Sequence, residues 1–209
     1  MIRPSDLHTF GYCPRLAFFE LYMPRRRGLL EILRLFIGRA FHAMFMLRDK
    51  VKGYISEHDL VLSLNENVMI VGRADAIKVA EGKAHIIERK SSKAPRKGAW
   101  VSDIIQAGAY GLMVARNYRP QEITVEVRYP TASRVFKFDS RLSALVLKAI
   151  DDYLLVKKNG ILPAAKRGRR CNSCPYREAC FLLDLEGEEA KNLEEPGSWL
   201  IDIDTIEEQ

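Results

Sequence analysis

Two carboxylates and an ammonium fall within one short stretch, VGRADAIKVAEGKAHIIERKSS at residues 71–92, as Asp75, Glu88 and Lys90. The stretch reads as two strands joined by a turn at Glu81-Gly82-Lys83. With Glu81 and Gly82 as the turn residues, Ala80 pairs with Lys83 and Asp75 falls opposite Glu88. Directly opposed residues share a face, with Cβ atoms roughly 4.5–5.5 Å apart. Lys90, two residues beyond Glu88, points to the same face. A bulged turn would break this register. Close carboxylates repel unless a cation separates them. Hard oxygen donors, with the Arg89 carbonyl as a further ligand, suit Mg²⁺ or Mn²⁺. Lys90 would then orient or help deprotonate a water and steady the charge of a phosphorane-like transition state. That chemistry is phosphodiester hydrolysis. The competing reading is a solvated strand end whose surface ion pairs are worth little. The loose pattern G-x-x-D followed by E-x-K does not choose between them.

A second group of reactive side chains is Cys171, Cys174 and Cys180, just after the basic run at residues 166–170, with Cys13 far away near the N-terminus. Disulfides are not expected in the cytoplasmic protein that the sequence suggests, so metal binding comes first. Structural zinc sites usually draw two ligands from each of two short Cys spacings. A three-plus-one set suits an iron–sulfur cluster, which needs four thiolates and can join two ends of a chain. Zinc stays the alternative on spacing alone.

The elements that must position these groups follow from periodicity. Ser5 is an N-cap candidate for a first helix, and Pro14 opens a second, with Cys13 at the break. Residues 29–51 read as one long amphipathic helix containing His42, a residue type more often satisfied in a core than ligating. Strands are expected at 54–64 and 68–79, then the second half of the central hairpin. A basic loop, KAPRKG, follows Ser92, and its Lys93 and Arg96 are candidate phosphate contacts. A helix at 100–118 sets Gln106 and Tyr110 four apart on one face, for contact with nucleic acid or, for Tyr110, for the core. A hairpin around Pro130-Thr131 and a helix at 140–158, ended by Asn159-Gly160, complete the order. The expectation is an α/β protein with a mixed sheet flanked by helices.

Composition narrows the partner. The formal net charge is +6, yet ten carboxylates from Asp184 onward face only Lys191, so residues 1–183 are far more basic than the total. A basic body suggests a polyanion, and the acidic tail a screen or docking segment. No run is long enough to span a bilayer and no signal peptide is expected.

Taken in order, these pieces resemble the RecB-like iron–sulfur nucleases of the restriction-endonuclease-like superfamily, and among them the CRISPR-associated exonuclease family, fourth-numbered of the Cas families. The resemblance rests on S-D-L…Y-C-P-R at residues 5–15, G-R-A-F-H ending at His42, G-R-A-D at 72–75, E-R-K at 88–90, Q-A-G-A-Y at 106–110 and the cysteine triplet. It implies a restriction-endonuclease-like core at residues 29–160. Residues 1–28 would be a helical segment giving one cluster cysteine, 161–183 a cysteine module and 184–209 an acidic tail. It implies that His42, Asp75 and Glu88 bind Mn²⁺ or Mg²⁺ and that Lys90 acts on the attacking water. Gln106 and Tyr110 would touch DNA, and Cys13, Cys171, Cys174 and Cys180 would hold a 4Fe-4S cluster. The function implied is a metal-dependent exonuclease, with endonuclease action also open, on single-stranded DNA or overhanging ends in CRISPR prespacer processing. Its partners would be DNA and the CRISPR integrase complex. A DNA-end-binding adaptor with little catalysis fits the same residues.

Overall fold

A computed structural model of the chain describes residues 1–25, 28–29, 32–33, 51–185 and 205–206, residues 185, 205 and 206 by their backbone alone. The helix expected at 29–51, His42 within it, and nearly all of the acidic tail lie outside the described residues.

The central hairpin forms in the expected register. Strands β2 (Val68–Ala80) and β3 (Lys83–Arg89) pair antiparallel, with Ala80 against Lys83 and Ala76 against Ile87. Glu81 and Gly82 take φ of 51° and 73°, the two successive left-handed residues that let a two-residue turn follow the strand twist. Strand β1 (Ile55–Asn65) pairs antiparallel with β2 on its other side. Beyond β3 the chain crosses over through helix α3 (Val101–Tyr118) to β4 (Glu122–Arg128), which pairs parallel with β3. Strands β5 (Ser133–Lys137) and β6 (Thr205–Ile206) extend the sheet antiparallel, in the order β1-β2-β3-β4-β5-β6. The mixed α/β architecture is therefore present, the parallel pairing of β3 with β4 set by the helical crossover.

Helices α1 (Pro4–Tyr12), α2 (Pro14–Tyr22) and α4 (Ser140–Asn159) pack with α3 over one face of the sheet. Their common core includes Leu7, Phe10, Ile86, Ile105, Met113, Val125, Leu145 and Tyr153. Helix α1 begins at Pro4, so Ser5 lies inside the helix and is not its cap. Pro4 suits the first helical position because its missing N–H has no partner to lose there, and the Asp6 carboxylate accepts the Arg3 N–H at 2.8 Å. Ile2 adds an isolated bridge beside Ile70, taking the Met69 carbonyl and giving its own to Val71. Helix α4 ends on Gly160, φ 62°. No helix among the described residues is long and apolar enough to cross a membrane.

Gly72 is where α1 comes closest to the sheet. A Cβ there would sit 2.7 Å from Pro4 Cδ and 3.0 Å from Tyr110 Cε1. Gly72→Ala is expected to cost about 1–3 kcal/mol by overpacking, read from the denaturant midpoint; an unchanged midpoint would show that α1 can move away.

The opposite face of the sheet carries a buried polar group of its own. Glu126 accepts from Arg128 Nε at 2.8 Å and from the Ser133 hydroxyl at 2.7 Å, with His85 Nε2 at 3.3 Å. Burial opposes its ionisation, but the bonds from His85, Arg128 and Ser133 outweigh that and hold its pKa well below the ordinary value. A carboxylate whose folded pKa is depressed adds stability above its unfolded pKa and loses it as pH falls toward the folded one. Between pH 6 and 3, melting curves of wild type should fall more steeply than those of Glu126→Gln. The variant should start lower, and the gap should narrow toward acid.

Candidate active site

The site is assembled at the C-terminal end of β3, where the chain leaves the sheet beside α3. Glu88 is 5% exposed. Lys90 Nζ lies 3.2 Å from Glu88 Oε1 and 3.3 Å from Asp103 Oδ1, and donates to Gln106 Oε1 at 2.6 Å. Asp75 sits across the hairpin, its Oδ2 accepting the Arg89 N–H at 2.6 Å. This neighbourhood is nearly dry, so the ion pairs are unlike those of a solvated strand end. The alternative of a water-exposed cluster therefore does not describe this place.

Asp75 is aimed by an irregularity. The core side of β2 is formed by even residues up to Ala74 (Val68, Ile70, Ala74) and by odd Ile77 beyond it. The change falls at Asp75, opposite Glu57, whose φ of 52° lies in the left-handed region. Such breaks in a ladder are a common way of redirecting a side chain beside a site.

Lys90 is a cation here. Burial would push its pKa down, but Glu88 and Asp103 outweigh that and raise it above the usual lysine value. Asp103, 2% exposed, also accepts from the Tyr129 hydroxyl at 2.7 Å and lies 3.0 Å from His8 Nε2. Its burial would favour the acid, yet His8, Lys90 and Tyr129 hold its pKa below the ordinary carboxylate value. Asp103, His8 and Tyr129 are the members of this site that sequence reasoning missed. They come from three separate elements, so no local spacing announces them; the available signal was that Asp103 lies one helical turn before Gln106. Asp103→Asn is expected to lower cleavage about tenfold to a hundredfold while leaving DNA affinity nearly unchanged, as a kcat and KM comparison would read. A rise in KM alone would place Asp103 in substrate binding instead.

The structure brings Gln106 to Lys90 rather than to the surface. Tyr110 is 5% exposed and its hydroxyl donates to the Arg73 carbonyl at 2.8 Å. Burial, with Glu88 and Asp75 adding their charge, raises its pKa. A ring so enclosed has no open face for a base, which corrects the DNA-contact reading of Tyr110 toward packing beneath the carboxylates. Lys93 and Arg96 are exposed in the loop after Lys90.

Among the described residues, no three His, Cys, Asp or Glu side chains are grouped to hold one metal ion. For the carboxylate site this reflects a donor pair, Asp75 and Glu88, whose expected third member, His42, lies outside the described residues. Two hard oxygen donors fit a divalent cation of the magnesium class.

Cys13, Cys171, Cys174 and Cys180 line one pocket, floored by Phe19 and Phe181. Arg15 lines the same pocket, 2% exposed, and among the described residues its Nε–H is buried without a hydrogen-bond partner. An anionic cluster would accept from that donor. Burial raises the Cys174 and Cys180 thiols, with Arg25 and Arg15 respectively working in the opposite direction. Helix α5 (Arg177–Leu185) and the 3₁₀ turn Arg169–Ser173 carry the triplet. They are tied to the N-terminal helices by Arg15 to Asp184 at 2.6 Å, Arg170 to the Tyr12 carbonyl at 2.6 Å and the Phe19–Tyr176 stack at 5.1 Å.

Comparison with known proteins adds four findings. The family model described as the PD-(D/E)XK nuclease superfamily matches residues 47–181. The chain is 28% identical to the CRISPR-associated exonuclease Cas4 of Aeropyrum pernix, covering 86% of this chain and 94% of that one. It is 28% identical to a CRISPR-associated exonuclease Cas4/endonuclease Cas1 fusion of Myxococcus xanthus, covering 86% of this chain but only 31% of that longer protein. Among solved structures, the crystal structure of SSO0001 superposes with a TM-score of 0.58 at 21% identity, over 86% of this chain and 84% of that one, a likeness of fold.

Proposed function

Because the chain belongs to the PD-(D/E)XK nuclease superfamily, we propose that it is a divalent-metal-dependent deoxyribonuclease of the CRISPR-associated exonuclease kind. Its substrate would be single-stranded DNA or overhanging ends, and its task the trimming of prespacer DNA. The observation that carries the reading is Lys90 held as a cation between Glu88 and Asp103 at the end of β3, with Asp75 across the hairpin.

Asp75 and Glu88, with His42, would hold Mg²⁺ or Mn²⁺, which when bound would polarise the phosphoryl group and favour ionisation of the attacking water. The protein's own contribution centres on Lys90. Lys90 is placed to orient or help deprotonate the water and to balance charge that grows on the phosphoryl oxygens. Gln106 fixes the ammonium through the 2.6 Å bond, and Asp103 keeps it charged. Tyr110 closes the floor of the site and excludes water beneath the carboxylates.

We also propose that the four cysteines hold an iron–sulfur cluster of structural role, most simply 4Fe-4S. The pocket they share, and the buried Arg15 donor that among the described residues has no partner, suit an anionic thiolate-bound group, and the three-plus-one spacing favours iron–sulfur over zinc. The Myxococcus relative is named as one chain with a Cas1 endonuclease, which supports an integrase complex as a partner here.

The test is cleavage of end-labelled linear and closed circular single-stranded DNA with Mn²⁺, Mg²⁺ or chelator. Metal-dependent loss of the linear strand supports the reading, and loss of the circle adds endonuclease action. Binding without cleavage in either metal would favour the adaptor.

A further inference from the structure

The loop that leaves Lys90 is held shut by one residue, Trp100. Its indole Nε1 donates to the Lys93 carbonyl at 2.9 Å, closing residues 93–100 into a compact arch. The other flank of the arch is fixed by Arg134, whose Nε donates to the Gly98 carbonyl at 2.9 Å. The indole is nevertheless 50% exposed, and the arch displays Lys93, Arg96 and Lys97 on its exposed surface. A tryptophan with its one donor satisfied and half its surface in water presents an apolar plane of fixed orientation, framed by cations.

This plane is wired to the site by direct bonds. The Trp100 backbone N–H donates to the Tyr129 hydroxyl at 3.1 Å, that hydroxyl donates to Asp103 at 2.7 Å, and Asp103 touches Lys90 at 3.3 Å. Only two side chains, Tyr129 and Asp103, stand between the tryptophan backbone and the ammonium. The loop that carries the indole is thus bonded to the ammonium at the same end of β3.

We propose that Trp100 is a base-stacking platform for one unpaired nucleotide beside the scissile phosphodiester, with Lys93, Arg96 and Lys97 on the flanking phosphates. It rests on the nuclease reading and deepens it, since a duplex keeps its base faces stacked inside and offers none to an indole. Stacking on an aromatic is tolerant of sequence and worth a measurable share of single-strand affinity per base, and phosphate contacts make binding sensitive to salt. Preference for single-stranded ends would thus be set in part by a residue outside the chemistry.

The experiment uses the full chain carrying Trp199→Phe, which leaves Trp100 as its single tryptophan, and fluorescent 20-nucleotide strands in chelator. The expected results are quenching of Trp100 emission by an intact single strand and about tenfold weaker binding on Trp100→Ala. A set of strands each with one abasic nucleotide should contain one position at which wild type and Trp100→Ala bind alike. Trp100→Phe, which keeps a ring but loses the Nε1 donor, should stay within about threefold of wild type. Equal weakening of every abasic strand and of blunt duplex by Trp100→Ala would overturn the proposal, as would a Phe variant as weak as the Ala one, since both would reduce the indole to an anchor of the loop. Wild-type cleavage is followed in parallel with Mn²⁺ and Mg²⁺. Cleavage without a stacking signature sinks only the platform, whereas absence of cleavage sinks the nuclease reading beneath it.

Discussion

Lys90→Met is expected to lower metal-dependent cleavage of single-stranded DNA by about 10³-fold, the scale on which positioned charge acts in a dry site. The same change removes the cation that separates Glu88 from Asp103, both of them buried. Leaving a buried carboxylate without its partner costs about 3–5 kcal/mol, so loss of activity alone would not distinguish chemistry from partial unfolding. The double variant Lys90→Met/Asp103→Asn separates them, because it leaves Asp75 and Glu88 in place. It replaces both charges with neutral groups of similar volume and should recover most of the melting temperature while recovering none of the cleavage. Single-turnover rates and thermal melts measured side by side decide the matter. A double variant that regains activity would place the chemistry elsewhere.

Removing iron from anaerobically purified protein should lower the melting temperature on the order of 10 °C, as expected when a group that binds only the folded state is lost from a chain of this size. Cys13→Ser and Cys174→Ser should do the same, although they lie in segments far apart in sequence. Limited proteolysis should then cut between α4 and α5, because Arg170 with the Tyr12 carbonyl, Arg15 with Asp184 and the Phe19–Tyr176 stack would hold the segment without the cluster. The cleavage rate of the fraction still folded should change little. Iron loss that abolishes cleavage at an unchanged melting temperature would contradict a structural role.

How much of this was legible in the sequence depends on how local the signal is. The turn at Glu81-Gly82 fixed the hairpin register, because a two-residue turn with both φ positive permits one pairing. The crossover was legible too, since a helical period sits between two short apolar runs. The first helix was misread by two positions, because Ser5 carries a stronger generic capping preference than Arg3, whereas Pro4 and Asp6 together decide the start. Tyr110 illustrates a different limit. Four-residue spacing put it beside Gln106, but only packing reveals that its ring lies under the carboxylates with its hydroxyl on the Arg73 carbonyl. The Asp103 triad was invisible for a deeper reason: residues 8, 103 and 129 meet only after the sheet and α1 have docked.

The ion pair between buried Arg15 and Asp184 joins residues 169 positions apart. During synthesis, chain order makes this a late contact, since α2 emerges long before α5. Through most of that interval Phe19, 1% exposed in the finished fold, lacks Tyr176, the ring it finally stacks on. Closing so long a loop costs little more entropy than closing one half its length, so the delay is one of timing rather than of free energy. Until α5 is made the nascent chain carries Phe19 without its stacking partner, and its yield in a cell should depend on how fast translation reaches that helix.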